Sequence, residues 1–289
     1  MEYKSLKELC KLSSDKKKLI WQIVLEDDAK ERSVSKEEVW ATMETMYDAM
    51  KQADRDYDGS LRSPSGMAGG DGAKFEEHRR QEKSLFGPFL CDVVEKSLKM
   101  GESNACMKRI VAAPTAGSCG VMPAVFLAYE KLKAVEKNRM IEALFVSAGV
   151  GAVIAENASI SGAEGGCQAE IGSAAAMSAA GLAYLEGGDN ETIMHAAALT
   201  LKNMLGLTCD PVAGLVEVPC IKRNVFGAVN AITGSQLALA GIRSVVEPDE
   251  VVETMGRIGA QLPACLRETS EGGLAITETG LKVKEQMEK

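Results

Sequence analysis

Three cysteines sit in the neighbourhoods with the most chemical promise: Cys167 in GAEGGCQAEIG, Cys209 in LTCDPV and Cys220 in VPCIKRN. Each lies in or beside a Gly- or Pro-marked segment, where backbone amides are free to point at sulfur instead of at a helix carbonyl. Such a setting suits an iron-sulfur cluster, whose sulfurs are stabilised by thiolate ligation and by amide hydrogen bonds. The stretch GLTCDPVAGLVEVPC, residues 206–220, holds two of the three, with Pro211, Gly214 and Pro219 between them. Spread over residues 167 to 220, they form no self-sufficient ligand motif, so three buried thiols fit the same pattern.

Other segments offer polar chemistry. In PTAGSCG, residues 114–120, Thr115, Gly117 and Ser118 stand at a break before a helix, where hydroxyls and amides can face an anion. An ordinary helix entry capped by Thr115 or Ser118 is the competing reading, and Cys119 is a possible fourth ligand. SPSGMAGGDGAK has enough glycine for backbone amides to approach a ligand closely, with Lys74 as a candidate substrate contact. Arg223 and Asn224 follow Cys220 directly, which places them either near its sulfur or on a solvated face.

Asp54, Asp56, Asp58 and Gly59 match the first half of a calcium loop, but the twelfth place holds Ser65 where a bidentate Glu is needed. His78 lies in a charged run and His195 in an alanine-rich helix, and neither resembles a poised general base. Cys10, Cys91, Cys106 and Cys265 read as small buried thiols, and no Cys-x-x-Cys pair is present.

The elements that must position these groups read as helices. SKEEVWATMETMYDAM opens with a capping box, Ser35 with Glu38, and sets Trp40, Met43, Tyr47 and Met50 on one face at helical spacing. A long polar loop follows from Asp54 to Phe75. Beyond Phe86, segments such as IGSAAAMSAAGLAYLEGG and TIMHAAALTLKNMLG carry small residues at helical spacing and end at glycine, as closely packed helices do. Strand-like alternation is scarce. The expectation is an all-α fold: one mainly helical domain over residues 1–289, with residues 1–60 an N-terminal helical segment packed on it and the cluster site in irregular loops between helices.

The 289 residues suffice for a sizeable core without disulfide staples. A net charge of -8 argues against nucleic acid or an anionic membrane surface as partner. The N-terminus MEYKSLKELC carries no signal-peptide pattern, and apolar runs such as Ala143 to Ala155 are shorter than the roughly 20 residues of a membrane span. These features predict a cytoplasmic protein, in which the eight cysteines stay reduced.

Four blocks, APTAGSCGVMPAVF, GGCQAEIGSAAAMSAAGL, GLTCDPVAGLVEVPCIKRN and LRETSEGGLAITETG, resemble the alpha chain of the oxygen-sensitive, iron-sulfur L-serine dehydratases of bacteria, and the similarity runs through essentially the whole chain. The resemblance implies a helical domain in which Cys167, Cys209 and Cys220 hold a four-iron four-sulfur cluster. It also implies L-serine as substrate and no pyridoxal phosphate. Three ligands leave the fourth iron an open position, as catalytic metals have. Serine would bind there through its carboxylate and hydroxyl, with the iron acting as Lewis acid on the departing hydroxide. Loss of the alpha proton and of water would leave an aminoacrylate that tautomerises and hydrolyses to pyruvate and ammonia.

Single-chain members of the family end in a cysteine resembling an internal fourth ligand, whereas this chain ends LKVKEQMEK. That departure matches the two-chain type and predicts a separate beta chain as partner, carrying the general base. The competing functions are an iron-sulfur L-cysteine desulfidase, a cluster-bearing redox sensor or electron carrier, and a calcium-dependent helical interaction module.

Overall fold

The computed structural model describes residues 1–288, among which the fold is all-α, with thirteen α-helices and no strands. In chain order they are α1 (Leu6–Lys16), α2 (Ile20–Arg32), α3 (Lys36–Arg55), α4 (Asp71–Arg80), α5 (Pro88–Ala105), α6 (Val121–Lys133) and α7 (Lys137–Asn157). Then come the single turn α8 (Gly162–Gly165), α9 (Ser173–Leu185), α10 (Asn190–Lys202), α11 (Cys220–Leu239), α12 (Pro248–Gln261) and α13 (Glu278–Met287).

Helix α9, SAAAMSAAGLAYL, is the axis of the domain: all its residues but the last are buried, enclosed by α6, α7, α10 and α11. A helix with neighbours on every side needs no apolar stripe, which is why its sequence is small and apolar all round. Alanine and glycine let the backbones close in. A Cβ on Gly181 would stand 2.5 Å from Ser147 Oγ, 2.6 Å from Phe126 Cζ and 2.9 Å from the Ala143 carbonyl, so only glycine fits where α9 crosses α7 and α6. Helix α7 is long and apolar enough to cross a membrane by composition, yet 67% of its most apolar window is buried inside the domain, as a core helix is.

The N-terminal segment contributes Tyr3, and its helices Leu6, Leu9, Ile20, Ile23 and Tyr47, to the same continuous core as α9. Helix α3 begins with the capping box, Glu38 N donating to Ser35 Oγ at 3.2 Å and Ser35 N to Glu38 Oε2 at 2.9 Å. Its apolar stripe packs inward. Trp40 meets Trp21 edge-on and lies 5.8 Å from Phe145. The aspartates after it do not gather around an ion: Asp54 still belongs to α3 and pairs with Lys96, Asp56 accepts from Gln52, and Asp58 accepts from Ser60. A helix that runs on to Arg55 cannot curl its last turn around a cation.

Candidate metal centre between helix ends

The irregular segments converge where α9 and α11 begin. Cys167 precedes a π-helical turn, Gln168–Gly172, that leads into α9. Such turns recur at functional sites because the widened ladder re-aims side chains. Gln168 anchors this one, its Nε2 donating to Met255 O at 3.1 Å and its Oε1 accepting from Gly206 N at 2.9 Å. Cys209 lies in an extended segment bridged to Arg267, with Cys209 N donating to Leu266 O and Glu268 N to Cys209 O, both at 2.9 Å. Cys220 is the first residue of α11. All three thiols are free and buried.

The backbone around Cys209 is strained. Ala213, Glu268 and Ser270 take φ values of 53°, 63° and 57°, left-handed conformations that cost a non-glycine residue about 1–3 kcal/mol each. Cross-links hold them there. Ser270 Oγ donates to Pro211 O at 2.8 Å, and Leu274 N donates to Asp210 Oδ2 at 2.8 Å, so the turn Gly273–Ile276 clamps the cysteine loop.

The three sulfurs affect one another's ionisation. Cys167 is held below the usual thiol range, first by a hydrogen bond from Cys209 and then by the Arg223 guanidinium. Cys209 is pushed well up as the other half of that pair, and Cys220 is pushed up to about 12 by burial and by negative charge at Cys167 and Glu170. Three buried thiols, of which Cys209 and Cys220 resist ionisation on their own, are a soft donor set whose thiolate forms a cation would stabilise. The donors fit a metal centre. A further set, Glu170, Cys209 and Glu268, brings one ligand atom each within 4.8 Å of the others.

Glu170 is carried in by the π turn. Its Oε1 accepts from Thr115 Oγ1 at 2.7 Å, and its carboxyl is raised above the usual range, first by burial and then by the charge of Glu268. A Cβ on Gly117 would lie 2.9 Å from both of its oxygens, so the PTAGSCG turn approaches Glu170 closely because residue 117 is glycine.

Asn224, fully buried on α11, pins that turn: Gly120 N donates to its Oδ1 at 2.9 Å, and its Nδ2 donates to Gly117 O at 2.7 Å and Cys220 O at 2.9 Å. Arg223 is likewise mostly buried, its Nη1 donating to Thr208 O at 2.8 Å and its Nη2 standing 2.9 Å from Asp210 Oδ1. Neither belongs to a solvated face.

The structure brings Cys167, Cys209, Cys220, Thr115 and Gly117 into one region. Ser118 is buried and turned into its own loop, where its Oγ accepts from Thr115 N at 3.3 Å. Cys119 is buried with its Sγ facing Met100 O, and burial pushes it up to about 12. Lys74 is exposed and pairs with Asp71 at 2.8 Å, and the same Asp71 pairs with Lys222, two residues past Cys220. His78 packs near Phe75, and His195 Nδ1 accepts from Ser244 N.

Glu170, Glu268, Asp210 and Glu217 were not legible as site residues in the sequence. Buried Glu217 accepts from Ser63 Oγ at 2.8 Å and Ser65 Oγ at 2.6 Å, tying the SPSG loop to the turn before Cys220. The available signal was acids one to three residues from a cysteine, which spacing alone does not separate from solvated charge.

Fold and donors together define an all-α domain with a buried three-thiol site at the meeting of two helix N-termini. A family model described as serine dehydratase alpha chain matches residues 15–275, and the chain belongs to that family. It is 43% identical to the probable L-serine dehydratase, alpha chain, of Bacillus subtilis, over 99% of this chain and 95% of the relative. It is 41% identical to the L-serine dehydratase, alpha chain, of Peptoniphilus asaccharolyticus, over 92% of this chain and 91% of that one. The L-serine dehydratase of Haemophilus influenzae is 38% identical over 95% of this chain, which covers 61% of that longer polypeptide.

Proposed function

We propose that the chain is the catalytic alpha subunit of an L-serine ammonia-lyase, releasing pyruvate and ammonia from L-serine, with Cys167, Cys209 and Cys220 holding a four-iron four-sulfur cluster. The observation that carries the reading is the buried thiol set beside the Arg223 cation and the Glu170 carboxyl, in a chain whose relatives over nearly their whole length are named for serine dehydration. When bound, the cluster supplies Lewis acidity that helps the serine hydroxyl leave.

The chain's own residues do the rest of what this subunit contributes. Burial raises the Glu170 carboxyl above its usual range, and with Oε1 engaged by Thr115 its Oε2 is the oxygen left to pass a proton to the departing hydroxide. Thr115, with Gly117 beside it, fixes that acid and stays in the proposed serine site. Ser118 contributes through the shape of the turn, whereas Lys74, exposed and paired with Asp71, takes no part in the proposed serine site.

Abstraction of the α proton needs a positioned base, and neither histidine of this chain is among the groups around the thiols. A separate beta chain supplies it, consistent with the further length of the single-polypeptide relative. The eight free thiols suit a reducing cytoplasm.

The test is pyruvate formation from L-serine by anaerobically purified chain, alone and with its partner, with L-cysteine as the competing substrate. Turnover of serine that requires both chains is expected. Full turnover by the isolated chain would place the base on this sequence, and sulfide release from cysteine without pyruvate from serine would sink the serine assignment.

A further inference from the structure

One side chain joins two of the cysteine-bearing segments. Arg223 stands on the first turn of α11, three residues after Cys220. Its guanidinium grips both sides of Cys209, through Thr208 O at 2.8 Å and Asp210 Oδ1 at 2.9 Å. Asp210 passes the link on to the C-terminal turn through Leu274 N. The side chain is mostly buried, 17% exposed, so solvent screens its charge poorly.

A planar fork with several donors can make such simultaneous contacts, whereas an ammonium acts as a point charge. The other titratable side chains around Arg223 are acidic or thiol: Asp210, 2.9 Å from its Nη2, and Glu170 with Glu268 beside Cys209.

We propose that Arg223 is the positioning residue of the thiol site: it fastens the Cys209 segment to α11 and offsets the thiolate charge, and so sets both how firmly the cluster is held and its reduction potential. This rests on the reading that the three thiols hold a cluster. Positioning and charge make separable predictions, because Lys keeps the charge and loses the fork, while Gln loses the charge.

The experiment takes full-length wild type, Arg223→Lys and Arg223→Gln, reconstituted anaerobically with ferrous iron and sulfide. Iron loss to a ferrous chelator and the midpoint potential from a redox titration are then measured. Arg223→Gln should lose iron about 10–100-fold faster, the usual cost of removing a partner of a metal ligand, and its potential should move negative, since a nearby cation favours the reduced cluster. Arg223→Lys should also lose iron faster while keeping a potential close to that of wild type.

Wild-type iron retention and potential in Arg223→Gln would overturn the inference. If that variant does not fold, unchanged retention in Arg223→Lys would overturn it equally. A wild-type chain that takes up no iron would overturn the cluster reading itself, and this inference with it.

Discussion

Replacing Asn224 by Ala tests how the site is assembled, because this one amide joins the PTAGSCG turn to the helix that begins at Cys220. The substitution leaves Gly120 N–H and Gly117 C=O without their partners, at distances now 2.9 Å and 2.7 Å, in a region closed to solvent. The third bond, to Cys220 O, is an i to i−4 contact along α11, and its loss matters less because that carbonyl belongs to the helix ladder. Each buried group left unsatisfied costs about 1–3 kcal/mol, which gives about 2–6 kcal/mol in all.

For a domain of this size that corresponds to a fall in Tm of about 5–15 °C. The assay is reversible urea unfolding and thermal melting of the metal-free chain, with Thr233→Ala on the exposed face of the same helix as control. The control should stay within about 0.5 kcal/mol of wild type. If Asn224→Ala also stays within that range, the amide does not hold the turn and the placement of Thr115 on Glu170 needs another cause.

Gly181→Ala forces a methyl into the crossing of α6, α7 and α9 against a backbone carbonyl 2.9 Å away, so it should lower stability by about 1–3 kcal/mol in the same unfolding assay. A neutral result would mean the helices can part there. Glu217→Ala should free the SPSG loop by removing the acceptor of Ser63 and Ser65, at a cost of about 1.5–3 kcal/mol per lost charged hydrogen bond. Limited proteolysis should then cut within residues 60–70 faster than in wild type, and an unchanged cleavage rate would count against the link.

Much of the fold was legible because its signals are local. The capping box at Ser35 and the Trp40 to Met50 stripe lie within single helices, and alanine-rich α9 announces a helix packed on all sides. The calcium-like row of Asp54, Asp56 and Asp58 misleads for the complementary reason: the motif counts residues, and α3 takes Asp54 into its own last turn.

The cysteines stand out by their Gly- and Pro-marked settings, but their supports do not. Asn224 bonds residues more than a hundred positions away, Thr115 reaches Glu170 across fifty-five, and Glu217 reaches Ser63 across 154. No window of sequence contains both partners of such a contact. For Arg223 and Asn224 the sequence leaves a place near the Cys220 sulfur and a solvated face equally open, and α11 decides between them by turning both inward. Ser118 follows the capping alternative: its hydroxyl is spent on its own turn.

The central claim is that Cys167, Cys209 and Cys220 together hold the cluster, and iron and acid-labile sulfide per chain in anaerobically reconstituted wild type, Cys209→Ser and Cys119→Ser test it most directly. Wild type and Cys119→Ser should carry the full complement of a four-iron four-sulfur cluster, and Cys209→Ser should carry almost none, because a hard alkoxide substitutes poorly for thiolate on iron. Wild-type iron and sulfide in Cys209→Ser would contradict the account.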